Sequence, residues 1–300
     1  MDELSPANAL LGDADALRQR LARDGYVFFR GLIPGAEAAN AADGVRAALR
    51  RGGWIDRRGQ ASADPRALNP KDALGDQAFR AAIASPAFNR IPYLMPLRQT
   101  IRMILGPLAF SYPSKVLRAI YPERPPDVTR GRYIHRDYAV SGVQDMLTTW
   151  IPLIDIPVRL GGLAVRPGSH LDPPARPRLL SSAERGWATT DYRAGDVLVF
   201  HCLTSHAALP NCDTALRLSG DFRWQCSDQP VPAQLVLGPA GGQQEMFSRL
   251  FARESWWEPV PGGMSLVPRE RLTASPPGPS RFFRVHPGWR LWRPPPGAVH

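Results

Sequence analysis

Lysine is nearly absent from this 300-residue chain: it occurs only at Lys71 and Lys115, so 35 of the 37 basic residues are arginine. Together with 32 prolines and abundant alanine, that bias is the mark of a GC-rich genome rather than of a ligand. The formal charge of +10 is spread along the whole chain. The nearest thing to a cluster, Arg46 to Arg58, reads as the exposed face and end of a helix. Basic patches interleaved with stacking aromatics are missing, so no nucleic-acid partner is expected. A field of this sign can still steer a small anionic substrate. Cysteine is also scarce: Cys202, Cys212 and Cys226 are too few and too scattered for a disulfide framework or a metal knuckle. No run approaches the ~18–20 apolar residues of a membrane-spanning helix. The N-terminus, MDELSPANALLGDAD, is acidic and lacks an apolar core, unlike a secretory signal. A cytoplasmic protein without a membrane partner is expected. With 44% hydrophobic and 21% charged residues, the chain has material for a substantial core.

Helical spacing covers Ala14 to Arg23, Ala36 to Arg50 and Pro92 to Leu105, with Tyr26-Val27-Phe28-Phe29 as a short strand between the first two. Asp56 to Asp76 is polar and rich in turn residues, a loop or lid candidate, and carries Lys71. From Ala109 the pattern changes to short apolar or alternating runs bounded by turns: Lys115–Tyr121, Arg132–Asp137, Met146–Leu153, Leu163–Val165, Asp196–His201 and Arg217–Trp224. No helical pattern separates them, so the spacing predicts a β-sandwich or barrel, not βαβ units. The fold class expected is mainly β with flanking helices. One domain spans 1–300: a helical part over about 1–108, a β core over about 109–230 and an extension over about 231–300. A proline-rich tail, Pro276–Pro296, ends the chain.

Among the six histidines, His135 stands two residues before a carboxylate inside a strand-like run, in His135-Arg136-Asp137. If Arg132–Asp137 is extended, residues i and i+2 share a face and the two side chains converge. A second histidine from a later strand would complete two imidazoles and one carboxylate. That set leaves three metal positions open and is the pattern of non-haem Fe(II) oxygenases. His201, inside an apolar strand, and His206, after its turn, are both available. Eleven residues after His206 comes Arg217, whose guanidinium could clamp a dicarboxylate co-substrate in a bidentate pair. Arg118, between Leu117 and Ala119, is either a snorkelling edge residue or a co-substrate contact. His170 reads as a structural hydrogen-bond donor, and His286 and His300 as solvated tail residues. Trp256-Trp257 and Phe282-Phe283 read as packing of the C-terminal segment. His135-Arg136-Asp137-Tyr138 also mimics a protein-kinase catalytic loop, but Gly142 stands where that loop needs asparagine.

The ordered succession of HxD, Trp150-Ile151-Pro152-Leu153, the Gly161-to-His170 segment GGLAVRPGSH, the Gly195-to-His201 segment GDVLVFH, His206 and Arg217 resembles the phytanoyl-CoA dioxygenase-like Fe(II)/2-oxoglutarate oxygenases. The resemblance runs from about Tyr26 to Trp224. It implies a double-stranded β-helix (jelly-roll, cupin-like) core, with iron held by His135, Asp137 and His206. It implies Arg217 as the partner of the distal carboxylate of 2-oxoglutarate, O2 as oxidant, and Trp150 as a wall of the co-substrate pocket. Family members often carry a serine two residues after the distal histidine, where this chain has Ala208; Ser219 or a nearby threonine is the available substitute. Halogenating relatives replace the acidic ligand by a small residue, and Asp137 is intact. The expected reaction is oxidation of a small molecule: hydroxylation, or oxidative cyclisation or desaturation, in bacterial secondary metabolism. The competing readings are an oxygenase acting on nucleic acid, and a cupin-like metal enzyme or binding module that does not use O2.

Overall fold

A computed structural model describes residues 1–62, 77–123, 130–173, 178–181, 184–237, 243–273 and 280–283. Lys71 and most of the lid candidate, much of the proline-rich tail, His286 and His300 lie outside the described residues.

Three long helices form an outer layer: α1 (Ala14–Asp24), α2 (Gly35–Arg51) and, after the short α3 (Gln77–Ile83) and α4 (Pro86–Arg90), α5 (Met95–Leu105). The Asp13 carboxylate starts α1 by accepting from the amides of Asp15 and Ala16, and Gly25 ends it in the left-handed region. Buried Ala38, Ala41, Ala42, Val45, Ala48 and Leu49 make one stripe of α2 at helical spacing. Small residues there let the helix sit close to its neighbours.

The strands are β1 (Asp2–Glu3), β2 (Tyr26–Phe29), β3 (Ala109–Ser111), β4 (Val116–Ile120), β5 (Arg130–Tyr133), β6 (Leu147–Pro152), β7 (Leu163–Val165), β8 (Leu179–Ser181), β9 (Ala188–Thr189), β10 (Val197–His201), β11 (His206–Ala208) and β12 (Arg217–Cys226). The larger sheet has the order β2-β10-β6-β12-β3, with β4 also paired to β12. The smaller has the order β1-β9-β7-β11. A single bridge between His135 and His206 joins the β5–β8 pair to it. Alternation decides the two faces of the larger sheet. Val27, Phe29, Leu147, Ile151, Val197, Val199, Leu218 and Phe222 face outward into the helical layer. Phe28, Trp150, Leu198 and Phe200 face inward and meet Leu163, Val165 and Ala188 of the smaller sheet.

The chain is therefore a mixed α/β protein built on two facing sheets, and the expectation of a mainly β fold is corrected. Helix accounts for 34% and strand for 25%, and neither sheet closes. The helical layer covers the whole outer face of the larger sheet, while most strands of the smaller sheet are only two or three residues long. The N-terminal part is not purely helical either, since β2 forms an edge of the larger sheet. After β12 come β13 (Val231–Pro232), α6 (Ala233–Leu237), α7 (Gln243–Phe251), β14 (Leu266–Val267) and α8 (Arg269–Thr273). Their apolar residues join Phe110, Tyr112, Tyr138, Val143 and Met146 in a separate cluster at one end of the sandwich.

Candidate metal centre and active site

His135, Asp137 and His206 come together with one ligand atom from each within 4.8 Å of the others. The two histidines are locked by their own backbones: His135 N–H donates to the His206 carbonyl (3.1 Å) and His206 N–H donates back to His135 (3.0 Å). Residues that exchange both bonds are directly opposite and present their side chains on one face. Their ring centroids lie 4.1 Å apart. His135 Nδ1 lies 3.0 Å from the Tyr133 carbonyl, and His206 Nδ1 lies 3.1 Å from the Thr204 carbonyl. Each carbonyl can accept a hydrogen bond from Nδ1–H, which leaves Nε2 with its lone pair for a metal.

Asp137 arrives by a route that differs from the expected one. The strand ends at Tyr133, and Asp137 has helical angles (φ −61°, ψ −23°) at the start of a short turn, Tyr138–Ser141. It is a bend of the chain after His135, not strand alternation, that brings the carboxylate beside the rings. Arg136 fixes the bend. Its guanidinium donates to Ser205 Oγ (3.0 Å) and to the carbonyls of Ser169 (2.8 Å) and Asp172 (3.1 Å). Ser169 also accepts from the Ser205 amide through its hydroxyl (2.9 Å). The Pro167-Gly168-Ser169-His170 turn thus clamps the segments before and after the ligands.

Burial works against a charged Asp137, yet Arg223, then the His206 and His135 rings and a hydrogen bond from Thr148, hold its carboxyl well below the usual range. Thr148 Oγ1 donates to Oδ2, and Arg223 Nε stands 3.7 Å from the same oxygen. Oδ1 faces His206 Nε2 at 3.8 Å. Burial, then repulsion from His135, pushes His206 down to about 4, so it is a neutral imidazole at neutral pH. Two imidazoles and one carboxylate form the donor set suited to Fe(II). His135 is exposed while the other two are buried, so the cluster opens on the His135 side.

The inner face of β12 supplies the opposite wall. Because Leu218, Phe222 and Trp224 point outward, Arg217, Ser219, Asp221 and Arg223 point inward at every second residue. Arg217 is buried at the far end and donates to the Gly161 carbonyl. Ser219 Oγ and Asp221 Oδ1 are buried without a hydrogen-bond partner. Orphaned polar atoms of that kind demand a ligand or water. Arg118 is partly exposed and paired. It lies opposite Ser219 and grips Asp221 Oδ2 through Nε (2.9 Å) and a terminal nitrogen (2.8 Å). Trp150 is buried one inward position beyond Thr148, opposite Asp221, with its ring 4.6 Å from Tyr192.

His201 lies outside the cluster, 3.4 Å from Asp145 and against Phe283 (4.9 Å). His170 is buried, 2.9 Å from the Ala22 carbonyl. Thr148, Asp221 and Arg223 escaped the sequence reading. The one available signal was a polar or charged residue at every second position from Arg217 to Arg223, an arrangement that a strand with one apolar face explains only by a polar inner wall.

Against known proteins, residues 21–219 match the phytanoyl-CoA dioxygenase (PhyH) family. A relative from Streptomyces exfoliatus, 1-deoxypentalenic acid 11-beta-hydroxylase, is 27% identical over 247 residues, covering 72% of this chain and 82% of the relative. The Streptomyces arenae protein of the same name is 25% identical. Among solved structures, a non-haem epimerase of nogalamycin biosynthesis, complexed with Fe3+ and alpha-ketoglutarate, has a TM-score of 0.50 at 21% identity, covering 85% of this chain and 95% of that one. An iron-bound protein (EctD) from S. alaskensis has a TM-score of 0.51 at 18% identity, over 76% and 82% of the two chains. The family match takes in the HxD segment, the strands from β2 to β11 and the first residues of β12, and by it the chain belongs to the phytanoyl-CoA dioxygenase family of Fe(II)/2-oxoglutarate-dependent oxygenases.

Proposed function

We propose that the chain oxidises a small molecule, with His135, Asp137 and His206 holding ferrous iron and Arg217 binding the distal carboxylate of 2-oxoglutarate. The observation that carries this reading is the locked histidine pair, whose Nε2 atoms and the Asp137 carboxylate converge on one point. Bound there, iron and 2-oxoglutarate supply the oxidising power, O2 and 2-oxoglutarate being consumed to succinate and CO2 as the substrate is oxidised. The residues hold that machinery in place. The Tyr133 and Thr204 carbonyls fix the tautomer of each ring, and Thr148 turns the Asp137 carboxylate toward His206. Arg217 stands in a buried, low-dielectric position where a bidentate carboxylate pair is strong. Ser219 takes the place of the missing serine at Ala208, its unpaired hydroxyl lying on the same face as Arg217. Arg118 orders that wall through Asp221, and Trp150 closes it.

The two facing sheets support a double-stranded β-helix whose helical part (about 1–108), core (about 109–230) and extension (about 231–300) act as one oxygenase domain. The Streptomyces hydroxylases support bacterial secondary metabolism as the setting and a small organic substrate. No described helix is long and apolar enough to cross a membrane. Among the described residues no disulfide joins the cysteines, which supports a reducing, cytoplasmic setting.

Anaerobic addition of Fe(II) and 2-oxoglutarate to the apo-protein tests the assignment. A weak visible charge-transfer band is expected in the wild type, and its loss in His135→Ala, Asp137→Ala and His206→Ala, with turnover reduced by at least about 100-fold. A band of full strength in any of the three variants removes that residue from the ligand set.

A further inference from the structure

Asp137 is delivered to the metal cluster by a single turn of helix. Its carbonyl accepts from the amides of Val140 (3.0 Å) and Ser141 (2.9 Å), and the Gly142 amide donates to the Tyr138 carbonyl (2.8 Å). One turn of that length does not hold itself in water, because fixing its backbone costs more than its few bonds return. What packs on it therefore decides where the carboxylate sits. On the core side the Tyr138 amide donates to the Cys202 carbonyl (2.9 Å), and Arg136, the residue before Asp137, is clamped by Ser169 and Ser205.

On the other side stands α8 (Arg269–Thr273) of the C-terminal extension. The Arg269 guanidinium donates to the Ala139 carbonyl, which the turn's own bonds leave unused. A cation at the carbonyl end of a helical turn also meets the negative end of its dipole. Beside this bond Leu272 and Thr273 close on Gly142: a Cβ at that glycine would lie 3.0 Å from Leu272 Cβ and 2.9 Å from Thr273 Cγ2. Leu272 also packs against the cluster that contains Tyr138, Val143 and Met146. Arg269 Nε is buried with no hydrogen-bond partner among the described residues, so the polar hold on the turn rests on the bond to Ala139. The family match ends at residue 219, and this brace comes from outside the matched region.

We propose that Arg269 is a positioning residue for Asp137: α8 of the extension holds the Tyr138–Ser141 turn and through it sets the affinity for Fe(II). The inference rests on the oxygenase reading above and deepens it.

The test measures metal binding without turnover. Fe(II) is titrated anaerobically into full-length apo-protein against a chromophoric chelator, and the Fe(II)–2-oxoglutarate band is then recorded at saturating iron. Arg269→Ala is expected to bind Fe(II) roughly tenfold more weakly than the wild type, the scale on which support of a ligand acts. Its apparent Kd for 2-oxoglutarate at saturating iron should stay within about twofold, since Arg217 lies on β12 and not on the turn. Arg269→Lys, which can make the same single bond, should recover most of the iron affinity. Phe247→Leu serves as the control for a loosened extension: that side chain packs on Phe251 and Lys115, and its iron affinity should stay within about twofold of the wild type. If Arg269→Ala does not fold, Leu272→Ala carries the test, with an expected loss of about threefold or more. Iron affinity unchanged in the Arg269→Ala and Leu272→Ala proteins that fold overturns the proposal. So does an equal loss in Phe247→Leu, or Arg269→Lys binding as weakly as Arg269→Ala. A wild type without the Fe(II)–2-oxoglutarate band overturns the oxygenase assignment itself.

Discussion

Burial alone would push the Asp137 carboxyl upward; the groups around it, Arg223 first, reverse the direction. Lys115 shows what happens when such compensation is missing. It is buried just before β4, its ammonium has no hydrogen-bond partner among the described residues, and three ring faces stand near it: Phe247 at 5.3 Å, Tyr93 at 5.6 Å and Trp257 at 5.8 Å. Those rings offset part of the lost hydration. Burial nevertheless pushes Lys115 down to about 7 from an ordinary value of 10.5. Between those values the unfolded chain binds the extra proton, so this residue makes stability rise with pH, and its full penalty is felt below pH 7. Lys115→Met is therefore expected to be more stable than the wild type by about 1–3 kcal/mol at neutral pH. The gap should close as pH approaches 10. Urea unfolding of both proteins at pH 7, 8.5 and 10 checks this, and a constant gap would show that Lys115 does not titrate in that window.

Strand β12 divides its labour by parity. Leu218, Phe222 and Trp224 hold the helical layer, while Arg217, Ser219, Asp221 and Arg223 furnish the wall of the site. One β-strand thereby couples stability to chemistry through alternation alone. Its far end depends on Gly161, which has φ +84° and accepts from Arg217. A Cβ there would meet the carbonyl oxygens of Leu209 and Pro210 at 2.6 Å. Gly161→Ala is expected to lower stability by about 2–3 kcal/mol from backbone strain and crowding. Movement of its carbonyl should also raise the apparent Kd for 2-oxoglutarate several-fold, read from the anaerobic band. A stable variant with unchanged 2-oxoglutarate affinity would show that Arg217 needs no support from this turn.

At the scale of the whole molecule, the C-terminal extension is tied back to the core through Asp145. Its carboxylate accepts from Ser280 Oγ (2.8 Å) and from the Arg281 amide (2.9 Å), and His201 stands 3.4 Å from it. Phe283 packs its ring against both His170 (4.6 Å) and His201 (4.9 Å). The extension thus rests on the two described histidines that lie outside the metal cluster, and their role is structural. Asp145→Ala, which leaves His201 and two donors unpaired, is expected to speed proteolytic cleavage of the extension at least about tenfold, as loss of ~1–3 kcal/mol of local stability implies. The core should resist under the same conditions. Equal cleavage in the wild type and the variant would mean that the tether carries no stability.

The sequence by itself determined the helices of the outer layer, the strand runs after Ala109 and the pairing of His135 with Asp137, while it left His201 and His206 both open as the second imidazole. Those signals are local: apolar spacing, turn residues, and a histidine two places from an aspartate. It did not reveal how Asp137 reaches the cluster, because the bend after Tyr133 is imposed by Arg136, whose partners lie at Ser169, Asp172 and Ser205. Nor did it weigh helix against strand, since the short strands of the smaller sheet exist only through pairing with distant segments. The inner wall was decided by tertiary structure as well. Arg118, Asp221 and Arg223 are ordinary charged residues in the sequence, and acquire a role only when β4, β6 and β12 align. Register across the sheet, which no local pattern encodes, sets Arg118 beside Asp221 and Arg223 beside Asp137.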